Sequence, residues 1–461
     1  MVKPKLKYAL LPLAICISSG SVFAATNAEL ERRLEAQEKE IKKLERQLKG
    51  TRGAVKQNRN RISDIGDRFK INGFFTGGVT ANDGDPAELA IYGIEDNYST
   101  AAVSRLGLQM TFEVTKDMNL TGQLVSRGVN DYEVDAEWAY LSWDVASNFT
   151  ARIGRQRIPY YLLSEYLEVG YAYPWVRPPI ELYNIPISST DGIGVLYDFN
   201  LGDFAFSTQA YVGAGSGFAD QLEGEFTLNQ AWGFAQFVEW QDFTFRVGYN
   251  TSNLDVGNIQ DGGVGDFLIN GTNDIAGEAQ IAGLPLENID TEYVSAAISY
   301  DNGNLLVISE IANLRVKDFV QPAGDSGYIT FGYRFGDWMP HFTYAKFYTD
   351  SKNDEQVREF IDAALVAAAM DPGGASGYIT TRGALQTLVQ QQTSYTLGLT
   401  YNINPRVKAK VEAAHYEDFG SYTQITTNGL ENVSGNGRFS GDPGAIDGHT
   451  AIYSFSIDAV F

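Results

Sequence analysis

Cysteine occurs once in 461 residues, at Cys16, and histidine only three times. Neither a disulfide framework nor a multi-cysteine metal centre can be built from that supply. Beyond the N-terminal segment there is no run of about 18 or more apolar residues, so no membrane-crossing helix is expected. Basic charge is also scarce: 35 Lys and Arg stand against 57 Asp and Glu, a net charge of -22. Such a chain repels phosphate backbones, which excludes nucleic acid as a partner. Glycine (47), tyrosine (26) and phenylalanine (26) are abundant, and a hydrophobic content of 44% is too high for a disordered chain. The mean hydropathy of -0.20 fits a soluble protein. It fits a membrane barrel equally well, because polar lumen positions alternate there with apolar outer ones.

Residues 1–24 read as a signal peptide. Lys3, Lys5 and Lys7 form a basic start, Tyr8 to Ile17 an apolar stretch, and Val22-Phe23-Ala24 a small-residue cleavage site. The mature protein then carries no thiol. A lipoprotein reading of Leu13-Ala14-Ile15-Cys16 fits poorly, because Ile15 is bulky for that motif.

Positive charge is concentrated before residue 70, which leaves the remainder strongly acidic. Residues 25–66 follow a heptad pattern, with Leu34, Ile41, Leu48, Val55 and Ile62 at a and Leu30, Gln37, Leu44, Thr51, Asn58 and Ile65 at d. Glu and Lys/Arg fill most of the other positions as far as Lys49, which suits pairing across e and g in a coiled coil. The competing reading is a lone amphipathic helix packed on its own domain. The narrow apolar stripe favours the coiled coil, and with it an oligomer.

From Phe69 the hydrophobic period changes from helical to two. Tyr395, Leu397, Leu399, Tyr401 and Ile403 alternate with Ser394, Thr396, Gly398, Thr400 and Asn402. At the C-terminus Ala451, Tyr453, Phe455, Ile457, Ala459 and Phe461 alternate with Thr450, Ser454, Ser456 and Asp458, broken only by Ile452 and Val460. Only extended chain sorts residues in this way. Sixteen such segments follow one another, the first near 69–80, the fifth near 148–158 and the last near 449–461. Connections after even-numbered segments are tight, as at Lys116-Asp117, Trp240-Gln241 and Asn404-Pro405; those after odd-numbered ones are long, except at Asp131-Tyr132. Periplasmic turns and extracellular loops differ in this way in outer-membrane barrels. A soluble sandwich of this length would divide into domains joined by linkers, and none is visible after residue 68. The fold class predicted is all-β: a 16-stranded antiparallel transmembrane barrel over 67–461, preceded by a short helical coiled coil in the periplasm.

The closing strand T-A-I-Y-S-F-S-I-D-A-V-F resembles the assembly signal of Gram-negative outer-membrane proteins. The stretches G-R-Q-R-I-P-Y-Y-L-L-S-E (154–165) and G-Y-A-Y-P-W-V-R-P-P-I-E-L-Y (170–183) resemble the porins that carry an N-terminal coiled coil, the DcaP-like group. The resemblance implies a homotrimer of sixteen-stranded channels and points to small organic anions as solutes. Its phosphate-selective relatives are rich in basic pore residues. Here the only lysines beyond residue 70 are Lys116, Lys317, Lys346, Lys352, Lys408 and Lys410, which argues against phosphate.

Residues 159–190, after the fifth segment, hold Pro159, Pro174, Pro178, Pro179 and Pro186 together with seven Tyr or Trp residues from Tyr160 to Tyr183. Proline stiffens such a loop and aromatics give it packing surface, so it is expected to fold against protein rather than form an extracellular tip. Its place as third extracellular loop matches the inward-folding loop of the general porins that the chain resembles. It would bring Glu165, Glu168, Arg177 and Glu181 near the arginines of segment five. There Phe149, Ala151 and Ile153 take the outer parity, so Arg152 faces the lumen, while Arg155 and Arg157 either sit at headgroup level or turn inward through a bulge. The expected constriction is Arg152, Arg155, Arg157, Glu165, Glu168, Arg177 and Glu181. Parity adds Arg246, Arg334, Lys408, Lys410, Glu412 and Asp458 to the lumen. These charges either set a transverse field across the pore or neutralise one another in ordinary ion pairs.

His341, His415 and His449 are scattered and read as girdle or loop residues, and no hydrolase, zinc-protease or P-loop spacing occurs. No enzyme activity, cofactor or metal is expected. The run 255–266 reads as a solvated loop rather than a calcium site, since it lacks a spaced bidentate Glu. Residues 354–370 read as a helix that either caps the pore mouth or braces its loop. The expected function is passive diffusion of small hydrophilic solutes through the outer membrane, with lipid and lipopolysaccharide around the barrel. The alternative is a trimeric tether or adhesin whose coiled coil touches peptidoglycan.

Overall fold

The computed structural model describes residues 35, 39, 42–43, 66, 68–83, 98–185, 187–219, 224–257, 287–317, 323–349, 391–419, 421–426, 429–434 and 448–461. The signal peptide and the helix expected at 354–370 lie outside the described residues, as do 255–266 beyond Gly257 and nearly all of the heptads; Glu35, Lys39, Lys42 and Lys43 are helical and exposed. Arg68–Phe461 is one compact unit, distinct from Met1–Asp67.

Sixteen long strands make up that unit: β1 Phe69–Asn82, β2 Arg105–Thr115, β3 Met118–Arg127, β4 Val134–Ala146, β5 Phe149–Arg157, β6 Ser189–Leu201, β7 Phe204–Ala219 and β8 Gly224–Trp240, then β9 Phe243–Gly257, β10 Ile289–Asp301, β11 Leu305–Val316, β12 Gly324–Tyr333, β13 Trp338–Thr349, β14 Gln391–Asn404, β15 Val407–Glu417 and β16 His449–Val460. Each is antiparallel to its neighbours in sequence. β16 returns to β1 in the register Phe74↔Val460 to Asn82↔Ile452, and Gly73 and Phe461 exchange backbone hydrogen bonds of 2.8 and 2.9 Å. The two-residue strand Tyr98–Ser99 pairs with β1, and a separate hairpin, Ser421–Thr426 with Gly429–Ser434, stands between β15 and β16. Closure leaves no sheet edge, the condition for crossing lipid with strands.

The period of two is expressed as two faces. On β16 Tyr453, Phe455 and Ile457 are exposed outward while Thr450, Ser456 and Asp458 are buried inward; Ile452, which breaks the pattern, is buried with the inward set. The exposed apolar side chains form the lipid-facing band expected of an outer-membrane barrel. Short turns of two to four residues follow β2, β4, β6, β8, β10, β12 and β14, all at one end, with Gly202 and Gly336 supplying left-handed turn positions at φ +60°. Near this end runs an aromatic belt: Phe199 on Phe206 (4.6 Å), Phe204 on Trp240 (5.8 Å), Phe243 beside Tyr300 (4.7 Å) and Trp338 beside Tyr401 (4.3 Å). Aromatic girdles lie at headgroup level, and the short turns make this end the periplasmic rim.

The core lies inside the barrel. The segment between β5 and β6 contributes Ile158, Tyr160–Leu163, Tyr173, Trp175, Leu182 and Ile187, which pack on inward residues of β7 to β13 such as Tyr211, Leu228, Tyr293, Ile308, Tyr328 and Met339. These strands therefore present apolar residues on both faces, because one face meets lipid and the other meets the loop.

Candidate functional site

The β5–β6 loop enters the barrel from the extracellular rim and is fixed to the wall around most of its circumference. Ser295 on β10 donates to the Tyr160 carbonyl at 2.9 Å, and Glu310 on β11 accepts from the Leu162 amide (2.8 Å) and the Tyr183 hydroxyl (2.7 Å). Trp175 Nε1 donates to Thr343 on β13 at 2.8 Å, and Thr400 on β14 donates to the Pro174 carbonyl at 2.9 Å. At its deepest point the Tyr171 hydroxyl donates to the Pro405 carbonyl at 2.9 Å, in the periplasmic turn between β14 and β15. The loop therefore runs from one rim to the other. Gly170 makes this descent sterically possible: a Cβ there would come within 2.2 Å of Asp458 Oδ1 and 2.6 Å of Thr76 Oγ1.

On the β2–β5 side, arginines of the wall meet carboxylates of the loop. Arg127 donates to Glu168 at 2.9 Å, Arg157 stands 3.3 Å from the same carboxylate and Arg105 3.6 Å. Glu137 closes the group, accepting from Arg157 at 2.7 Å and from Arg127. Burial alone would raise the Glu168 carboxyl, but Arg127, Arg157 and Arg105 hold it well below the usual carboxylate range. Beside this group Arg152 faces Glu165 at 3.3 Å and lies over the Tyr140 ring at 4.9 Å. The two groups differ in the access of their carboxylates. Glu137 and Glu168 are 8% and 11% exposed against 34% for Glu165, whereas Arg152, at 19%, is no more open than Arg127. Arg127, Arg157 and Glu168 thus clamp the loop, and Glu165 is the more open member of its pair with Arg152.

Arg246, Lys408 and Lys410 also anchor the loop. Arg246 is buried, donates to Ser295 at 2.7 Å and to the Pro159 carbonyl, and stands 3.8 Å from Glu310. Lys410 is buried on Asp458 at 3.0 Å and donates to the carbonyls of Gly170 (2.6 Å) and Trp175 (2.7 Å). Lys408 donates to the Tyr171 carbonyl at 2.8 Å and lies 4.1 Å from that ring's centroid. Glu412 is 3.7 Å from His341, and Arg334 is paired with Asp301 at 2.5 Å at the periplasmic rim.

Three expected members of the constriction lie elsewhere. Arg155 keeps the outward parity of Ile153 and forms a two-bond pair of 2.9 and 2.8 Å with Asp191, its register partner on the same outer face. Arg157 does turn inward, where β5 gives way to the loop and Gly154 has taken φ +127°, a conformation open to glycine. Arg177 and Glu181 belong to the loop's far limb, because the loop crosses the lumen between them and β5. Arg177 donates to the Ala102 carbonyl, and Glu181 accepts from Gln392 on β14 at 2.7 Å. His341 is not a girdle residue: on β13 it shares the inward parity of Met339 and Thr343 and is buried. Four unanticipated residues complete the clamp and its anchors. The parity test, extended to β2 and β3, would find Arg105 and Arg127, whereas on β11 both parities are apolar and leave Glu310 without a signal. Glu137 it would miss, since the register slips between Gln123 and Leu124, making Glu137 the extra residue of a bulge that turns inward together with Trp138.

No known family's sequence profile matches this chain, and no curated protein matches it in sequence. Among solved structures it is similar to the anion-selective porin from Comamonas acidovorans, at 14% identity and a TM-score of 0.47 over 85% of this chain and 99% of that one. It is also similar to the outer membrane channel DcaP of Acinetobacter baumannii (9% identity, TM-score 0.46, 85% of this chain and 97% of that one) and to Salmonella typhi OmpF (12% identity, TM-score 0.46, 85% and 97%).

Proposed function

We propose that this chain is an outer-membrane channel for passive diffusion of small hydrophilic solutes, favouring small organic anions such as carboxylates. The observation that carries this reading is the partly exposed Arg152–Glu165 pair at the edge of the clamp. Around it Arg105, Arg127, Arg152 and Arg157 meet Asp135, Glu137, Glu165 and Glu168, four charges of each sign that would set a transverse field, and within that field the Arg152 guanidinium is the group proposed to draw anions. A charge bordering a passage with low-dielectric walls acts more strongly than one in bulk water. The acidic excess of the chain has less influence if it lies on surface loops, since charges more than about 8 Å away are largely screened at physiological salt. On this reading the acidic surface concentrates cations at the mouth only at low salt, and the narrow region selects anions. The N-terminal heptads would join three such barrels on the periplasmic side and bring them to peptidoglycan.

The test is reversal potential in a KCl gradient across a planar bilayer. Arg152→Ala should shift selectivity toward cations, and Glu165→Gln should shift it toward anions. No shift in either variant at any salt concentration would show that this pair does not border the permeation path.

A further inference from the structure

At the extracellular end of the barrel, between the root of the loop and the inner faces of β8 to β13, lies a pocket of about 110 Å³. Tyr160, Ile187, Leu228, Leu254, Val316 and Phe347 give it an apolar wall. Among the polar side chains that also line it, two stand out. Asn250 is buried with neither Nδ2 nor Oδ1 hydrogen-bonded among the described residues, and the Tyr293 hydroxyl is buried and equally unpartnered. They are register partners, Asn250 on β9 directly opposite Tyr293 on β10, and both line the pocket. Both are held in place. Gly233 leaves room for the amide, since a Cβ there would come within 2.4 Å of Asn250 Oδ1, and Tyr160 and Tyr161 meet the Tyr293 ring edge-on at 5.2 and 5.9 Å. Native interiors leave few polar groups unpaired, and a pair of them facing an apolar pocket is complementary to a ligand that satisfies both.

We propose that this pocket is a solute subsite on the extracellular side of the constriction. It takes an apolar body of about phenyl or isobutyl size that carries one neutral group able both to donate and to accept, a carboxamide or a hydroxyl. At about 110 Å³ the pocket is smaller than the dry cavity of about 150 Å³ that accommodates benzene, so it encloses a branched aliphatic group or seats a phenyl ring in part, the remainder standing in its open side. Neutrality follows from the lining. Its one carboxylate, Glu292, has the outward parity of Val294 and is engaged by the Tyr249 hydroxyl at 3.1 Å. Asn250 Nδ2 would donate to the ligand's oxygen, Oδ1 would accept its N–H or O–H, and the Tyr293 hydroxyl would complete the set. The channel reading is needed only to call this ligand a transported solute.

Benzamide titrated into the detergent-solubilised full chain, followed by saturation-transfer NMR, tests the assignment, with toluene as the apolar control. Saturable binding of benzamide is expected. Asn250→Leu should weaken it about tenfold and abolish its advantage over toluene, and the isosteric Tyr293→Phe should weaken it about threefold, as neutral hydrogen bonds do. Retained heat-modifiable mobility on gels shows that each variant is folded, and Tyr293→Phe carries the test if Asn250→Leu fails to fold. Absence of saturable binding, or unchanged affinity in the folded variants, would overturn the subsite. Bilayer conductance is read separately: a chain that binds benzamide but passes no current keeps the subsite and loses the channel reading, and a conducting chain without saturable binding does the reverse.

Discussion

Replacing Glu168 by glutamine strikes the point where the loop is clamped. Arg127, Arg157 and Arg105 converge on this one carboxylate at 2.9, 3.3 and 3.6 Å, and without its charge Glu137 is the buried carboxylate left in contact with Arg127 and Arg157. Removing one partner from a buried ion pair costs about 3–5 kcal/mol. An exposed pair such as Arg155–Asp191 is worth at most about 1 kcal/mol. The strand ladder does not pass through Glu168, so the loss falls on seating of the loop rather than on the barrel. The expected outcome is a larger and noisier single-channel conductance, with the heat-modifiable gel shift of the barrel unchanged. Acid should act on the same group. Because the arginines hold the folded carboxyl below its ordinary value, its stabilisation is complete above the unfolded value of about 4.3 and is lost as the pH falls through the lowered folded value. The parent loop should therefore stay seated at pH 5 and release only in strong acid, whereas Glu168→Gln should conduct as the released form at every pH. Parent release with a midpoint above about pH 5, or a variant indistinguishable from the parent in conductance and noise, would refute the reasoning.

Deleting residues 165–182 removes the part of the loop that crosses the lumen and should raise single-channel conductance; an unchanged value would place permeation elsewhere. Gly170→Val should do so by a single substitution, because even a Cβ would come within 2.2 Å of Asp458 Oδ1, and protease cutting of the loop should increase alongside. Deleting residues 27–50 should leave a folded barrel on mild gels while shifting the trimer toward monomer, and a monomer at all concentrations in the intact chain would end the oligomer proposal.

Strand number, turn placement and the outer face were legible in the sequence. Side-chain alternation is fixed by the geometry of each peptide unit and needs no knowledge of neighbours, so Tyr453, Phe455 and Ile457 reveal a lipid face by spacing alone. The same rule gave Arg152, Lys410 and Asp458 their inward direction. It lost force on β11, where Leu306 and Ile308 are buried inward and Ile311 is exposed outward, because the loop makes both faces apolar. Aromatic and proline content announced a packed loop but not its landing points. Glu137 joined the clamp through a bulge with no local signature, and Arg155 and Arg157, two residues apart, parted to opposite faces at the strand's end. Partner choice was decided only by closure of the barrel, which sets Thr76 on Asp458 across 382 residues and Lys410 beneath Gly170 across 240. Alternation belongs to each residue and its immediate neighbours, whereas an ion pair belongs to two chain segments whose meeting depends on every strand between them.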